Sequence, residues 1–197
     1  MKKPPKAVVV KERTVHTYSE LWHASDCVLE RGVEEPKGST WQFLSSVILT
    51  AFSFEAYLNH VGPVVFECWP ELERLSPWGK LELICETLKV DFPEGQGKRP
   101  LQTVIKLLSF RNTMAHGRSQ ELRPKQVLRD INDGLDNFLG EIPLTDWERL
   151  IKDSTFVNQV REDVKAVLEK IHSARPEPKE LLFSFGHGVH SAELTQP

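Results

Sequence analysis

The chain has 197 residues, 40% of them hydrophobic and 27% charged, with a formal net charge of −3. A chain of this length buries roughly 70% of the surface its unfolded form exposes, so a core can form without disulfides or metal. The weakly acidic balance excludes a general nucleic-acid coat, and no Gly-rich phosphate loop, HExxH or GxSxG motif occurs.

Residues 1–16 read as an extended N-terminal arm, opening with the basic Met1-Lys2-Lys3-Pro4-Pro5-Lys6; the apolar run Ala7-Val8-Val9-Val10 is too short for a signal peptide. Thr17-Tyr18-Ser19-Glu20 is a capping box, so a first helix starts at Thr17, and Gly32 ends it. A second capping box, Ser39-Thr40-Trp41-Gln42, opens the longest helix, which runs to about His60 and stops at Gly62-Pro63. A short apolar helix is expected over Val64–Cys68. Ser76-Pro77 caps a helix from Trp78 to Val90. Pro100 begins the next, with Leu101, Val104, Ile105 and Leu108 at helical spacing, ending at His116-Gly117. Further helices are expected over Lys125–Leu139, over Thr145–Ile151 from a third capping box, and over Phe156–Ser173. Residues 176–197 carry Pro, Gly and Ser without helical period and read as a C-terminal tail. A strand at Leu181–Phe185, pairing with Val8–Val10, is the one β element the pattern allows.

The whole is helix on helix: an all-α bundle with extended N- and C-terminal tails, divided into an arm (1–16), a helical domain (17–175) and a tail (176–197). Phe43 to Val61 carries too many polar residues to span a bilayer. Cys27, Cys68 and Cys85 sit in apolar stretches and read as buried free thiols in a reducing compartment. The expectation is a cytoplasmic protein with no membrane contact.

On a helical wheel of the longest helix, Leu44, Val47, Ile48, Ala51, Phe52, Phe54 and Leu58 form one broad arc, with Glu55 and Asn59 inside it. Ser46, Thr50, Ser53, Tyr57 and His60 lie opposite. Glu55 thus faces apolar surroundings and needs a cationic partner, which a purely core-fixing ion pair also supplies. On the helix begun by Pro100, Arg111 and His116 flank the apolar face and Asn112 lies near its middle. His116 stands in the last turn, where the helix dipole favours imidazolium, and a His before a Gly is also an ordinary helix end. Between Gln96 and Arg129 stand eight basic residues, among them Lys106, Arg111, Arg118 and Arg123, against the single acid Glu121. That island is either a local anion site or a solvated face. His187 and His190 have metal-like spacing but no further ligand nearby, so no metal site is expected. Trp69 and Trp78, beside prolines, carry no mark of a base-stacking platform.

The run Arg111-Asn112-Thr113-Met114-Ala115-His116, at the end of an apolar helix, resembles the RNxxxH form of the HEPN family (higher eukaryotes and prokaryotes nucleotide-binding). The upstream helix carrying Ser53-Phe54-Glu55-Ala56-Tyr57-Leu58-Asn59 is similar to its partner in the HEPN helix pair, so the resemblance covers residues 17–140. It implies an antiparallel helical bundle that forms a homodimer with the two motifs facing across a cleft. It implies also a metal-independent endoribonuclease needing no cofactor, in the role of a defence or stress toxin. Arg111, Asn112 and His116 would be catalytic, Glu55 and Asn59 supporting, and Lys106, Arg118 and Arg123 RNA-binding. An imidazole can take the proton of a ribose 2′-OH, an imidazolium can protonate the leaving oxygen, and Arg111 can stabilise the phosphorane. The implied partners are RNA, a second copy, and an antitoxin or a nucleotidyltransferase-type protein. Gly117 and Arg118 stand where one HEPN subgroup has a tyrosine, which argues against that subgroup's regulation by tyrosine modification. The alternatives are a non-catalytic HEPN-like module for RNA or nucleotide binding or dimerisation, and a helical interaction protein with no nucleic-acid role.

Overall fold

Helical periodicity over most of the chain, with a Val-rich run near its start, yields a helical body with one strand at either end. The computed structural model describes residues 6–123, 143–176 and 180–195. These contain β1 (Lys6–Arg13), α1 (Thr17–Glu34), α2 (Thr40–Val65), α3 (Trp69–Leu72), α4 (Pro77–Leu88), α5 (Leu101–Ala115), α6 (Asp146–Leu150), α7 (Thr155–Ala174) and β2 (Gly188–Thr195). The helix expected over Lys125–Leu139 lies outside the described residues. Among those described, no helix is long and apolar enough to cross a membrane.

The central helix is α2, which packs on α1, α4, α5 and α7. Its Phe54, Tyr57, Leu58 and Val61 meet Val104 and Leu107 of α5 and Val160, Val164, Leu168 and Ile171 of α7 in a core where each is fully buried. Each such side chain contributes roughly 1.5–3 kcal/mol relative to exposure.

The wheel misplaces the polar side of α2. Ser46, Thr50 and Ser53 are fully buried, because they form the seam with α1 rather than a wet face. Ser25 Oγ lies 2.9 Å from Ser46 Oγ and 2.8 Å from Thr50 Oγ1, and Ser53 Oγ donates to Tyr18 O at 2.6 Å. Small side chains whose hydroxyls satisfy one another let two helices approach closely without stranding polar atoms. Arg161 of α7 closes the seam: it donates to Ser25 Oγ at 2.7 Å, pairs with Asp26, and lies 4.0 Å over the Trp22 ring.

Two glycines that read as helix stops are packing contacts instead. Gly32 lies inside α1, where an added Cβ would come within 2.9 Å of Gln42 Cβ and 3.0 Å of Phe43. At Gly62, inside α2, an added Cβ would overlap the ring of the buried Trp69. With α2 running on to Val65, the short helix expected at Val64–Cys68 is displaced to Trp69–Leu72. Only one of the three capping boxes forms: Thr145 Oγ1 accepts from Glu148 N at 3.3 Å while Thr145 N donates to Glu148 Oε2 at 2.7 Å. The first is pre-empted because the N-cap is His16, and in the second Ser39 Oγ turns back to donate to Pro36 O at 2.8 Å. Cys27 and Cys68 are exposed and Cys85 is half-buried, contrary to the expectation of three buried thiols; each lies in an apolar run but off its buried stripe.

The arm and the tail meet. β1 pairs antiparallel with β2, Val9 opposite Ala192. Leu181–Phe185 is not the strand: this segment docks on the helices instead. Phe183 stacks on Trp22 at 4.3 Å between centroids, and the Ser184 carbonyl accepts from His16 Nδ1 at 3.1 Å. The Glu180 carboxylate accepts from His60 Nε2 at 3.0 Å and from Arg175 Nη1. Burial alone raises the pKa of Glu180, but these two hydrogen bonds and the Arg175 charge outweigh it and bring it down to about 2. Burial pushes the His60 imidazole below its ordinary value.

Candidate functional site

Three helices supply the polar residues that converge between α2 and α5. Glu55 and Asn59 stand one turn apart on α2, and Lys80 lies in the first turns of α4, which Ser76 Oγ caps by accepting from Gly79 N at 3.1 Å. Arg111 is in the last turns of α5, where the buried Leu107, Leu108 and Phe110 orient the helix and leave Arg111 at the edge of the core. Arg111 Nη2 donates to Glu55 Oε2 at 2.8 Å, and Nη1 donates to Asn112 Oδ1 at 3.1 Å. The guanidinium carbon is 5.8 Å from the Phe52 ring centroid. On the other side, Lys80 Nζ donates to Asn59 Oδ1 at 2.8 Å and sits 3.8 Å from Glu55 Oε1. The result is one chain of contacts, Asn59–Lys80–Glu55–Arg111–Asn112. Glu55 therefore has the cationic partner its position on α2 demands, and a second cation besides.

Lys80 escaped the sequence reading. Its side chain is only 3% exposed, and its ammonium lies 6.0 Å from the Trp69 ring centroid. The signal was available: Lys80 precedes Leu81 and stands one turn before Ile84, so it borders the buried stripe of α4, as Glu55 does on α2.

Asn112 is exposed, not buried on the apolar face as the wheel suggested, because α5 turns that edge toward an open cleft. The cleft has a volume of about 600 Å³ and is lined by Asn112 together with Trp78, Leu108, His116, Arg118 and Gln120. His116 caps α5; its backbone N–H donates to Asn112 O at 2.9 Å, while its exposed ring makes no side-chain hydrogen bond among the described residues. Asn112 is thus the link between the Arg111–Glu55 pair and the cleft holding His116. With its oxygen accepting from Arg111, it has its amide N–H groups to donate outward.

The basic island divides when folded. Arg111 pairs with Glu55, Lys98 with Glu94 at 2.8 Å, Arg99 with Asp163 at 2.8 Å, and Arg123 with Glu121 at 2.6 Å. Lys106 and Arg118 make no ion pair among the described residues; Lys125 and Arg129 lie outside them. Arg118 lines the same cleft as His116, whereas Lys106 lines a neighbouring one of about 410 Å³ with Phe110 and Trp147. Asp163 is remote in sequence and Glu94 stands just before the basic stretch, so along the chain the island looks like one patch. Of the three residues expected to contact RNA, Arg118 shares the candidate cleft, Lys106 flanks it, and Arg123 is exposed and already paired.

No family model, no curated protein and no solved structure matches this chain. The chemistry of the site therefore rests on its own residues. It presents a guanidinium fixed in place, an amide donor beside it, and, one turn further along α5, an exposed imidazole in the cleft that the amide also lines.

Proposed function

We propose that the chain is a HEPN-like, metal-independent endoribonuclease acting as a homodimer, with Arg111, Asn112 and His116 at its catalytic centre. The observation that carries this reading is Asn112, which joins the Glu55-clamped Arg111 to the open cleft lined by His116. The donor set favours acid–base chemistry: Glu55, the one carboxylate in the chain of contacts, is engaged by two cations. Neutral imidazole takes the 2′-OH proton, the 2′-oxygen attacks the adjacent phosphorus, and imidazolium protonates the departing 5′-oxygen. The Arg111 guanidinium stabilises the charge of the pentavalent phosphorane. Exposed Phe52, against Arg111 and outside the cleft lining, supplies apolar surface for the second copy.

Single-stranded RNA incubated with the protein in EDTA tests the reading. The expected products carry a 2′,3′-cyclic phosphate and a 5′-OH, and a 2′-O-methyl substrate should resist. A metal requirement or a 5′-phosphate product would overturn the mechanism. A second reading, an RNA-binding module without catalysis, is favoured by one observation: no side chain among those described hydrogen-bonds the His116 ring to orient it. Binding without cleavage would select that reading.

A further inference from the structure

We propose that the cleft beside Asn112 and His116 holds one unpaired base of the RNA strand, stacked on Trp78. The inference rests on the ribonuclease reading for the identity of the ligand. Trp78 occupies the second position of α4, behind the Ser76 cap and Pro77, so its backbone is rigidly placed. Trp78 is half-buried: it packs against the core and also lines the cleft.

The lining has three kinds of surface, and a nucleobase matches all of them. An aromatic face accepts any base, because every base has a π-face. Leu108 and Ile105 provide an apolar floor, and Asn112 and Gln120 provide amide groups for a polar ring edge. Arg118, with no ion pair among the described residues, lines the same cleft and suits an adjacent phosphate. A volume of about 600 Å³ lies within the ordinary range for small-molecule sites, and a nucleotide is of that size. A base within a duplex has both faces covered by its neighbours, so only an unpaired, unstacked one can enter.

The test uses a six-nucleotide single-stranded RNA, fully 2′-O-methylated for binding and unmodified for cleavage, with an abasic residue placed at each position in turn. Trp78→Leu keeps apolar bulk against the core while removing the aromatic face, and circular dichroism verifies its fold. One abasic position should weaken binding to the wild-type protein about tenfold, the scale of a single base–aromatic stack. Trp78→Leu should weaken the intact RNA similarly and no longer discriminate at that position, whereas Trp78→Phe should retain most of the affinity. Wild-type affinity in Trp78→Leu, abasic and variant effects that multiply independently, or no measurable binding of the hexamer would each overturn the proposal. Cleavage that persists with an unchanged KM in Trp78→Leu sinks the stacking site and leaves the ribonuclease reading standing. Position-specific abasic sensitivity without any cleavage supports the stacking site and sinks the ribonuclease reading.

Discussion

Removing the Glu55 carboxylate is the most informative single perturbation of this fold. Lys80 is almost wholly buried, and Glu55 is the only carboxylate within ion-pair distance of it among the described residues. Glu55→Gln would leave the Lys80 ammonium with Asn59 alone, and would set it and Arg111 around a neutral amide. An exposed ion pair contributes about 0.2–1 kcal/mol, and breaking a fully buried one costs about 3–5 kcal/mol. Glu55 and Arg111 are 23% and 26% exposed, but Lys80 is not, which places the expected loss between these limits, at about 2 kcal/mol. For a chain of this size that is a fall of roughly 4–8 °C in Tm. The assay is thermal melting of Glu55→Gln, Lys80→Met and the double variant. If the stranded ammonium causes the loss, Lys80→Met should recover part of it in the Glu55→Gln background. A Glu55→Gln protein within about 0.5 kcal/mol of wild type, or strictly additive single losses, would show that Glu55 and Lys80 are not energetically coupled.

His116 makes no side-chain hydrogen bond among the described residues, so His116→Ala should melt like the wild type while cleavage falls by about 10²–10⁴; an active His116→Ala enzyme removes the acid–base role. Gly62→Ala should cost about 3 kcal/mol in chemical denaturation, because the new methyl meets the buried Trp69 ring, and a neutral outcome would mean α2 and α3 are less tightly packed than described. Acid should destabilise the fold in two stages. His60 has a lowered folded pKa, so its neutral form favours folding above the unfolded value of 6.5, and that contribution is lost as pH falls below it. Glu180, at about 2 against 4.5 unfolded, stabilises fully above pH 4.5 and loses this contribution as pH falls toward 2, on the order of 3 kcal/mol. Glu180→Gln should flatten the lower stage of a pH–Tm curve, and an unchanged acid slope would refute the Glu180 assignment.

Much of this protein was legible from its chain alone. The apolar periodicities gave α1, α4, α5 and α7 to within a few residues, since burial of one stripe is imposed locally by helical spacing. Glu55 amid an apolar arc announced a cationic partner, and Arg111 is that partner, because an unpaired carboxylate at a core edge is costly wherever the chain folds. What the chain could not disclose was which face meets which neighbour. Gly32 and Gly62 carried the same letters as helix stops, yet each is fixed by a side chain pressing on it from another segment. The hydroxyl row of α2 lies opposite the apolar arc yet is buried, because α1 and Arg161 cover it, and a buried hydroxyl is inexpensive only once such partners exist. Lys80 joined the site, and Arg99 left the basic island, through contacts with residues distant in sequence. Helical spacing acts over one or two turns and is written in the sequence; pairing of charges and closeness of backbones act across elements, so they are fixed only when the helices pack.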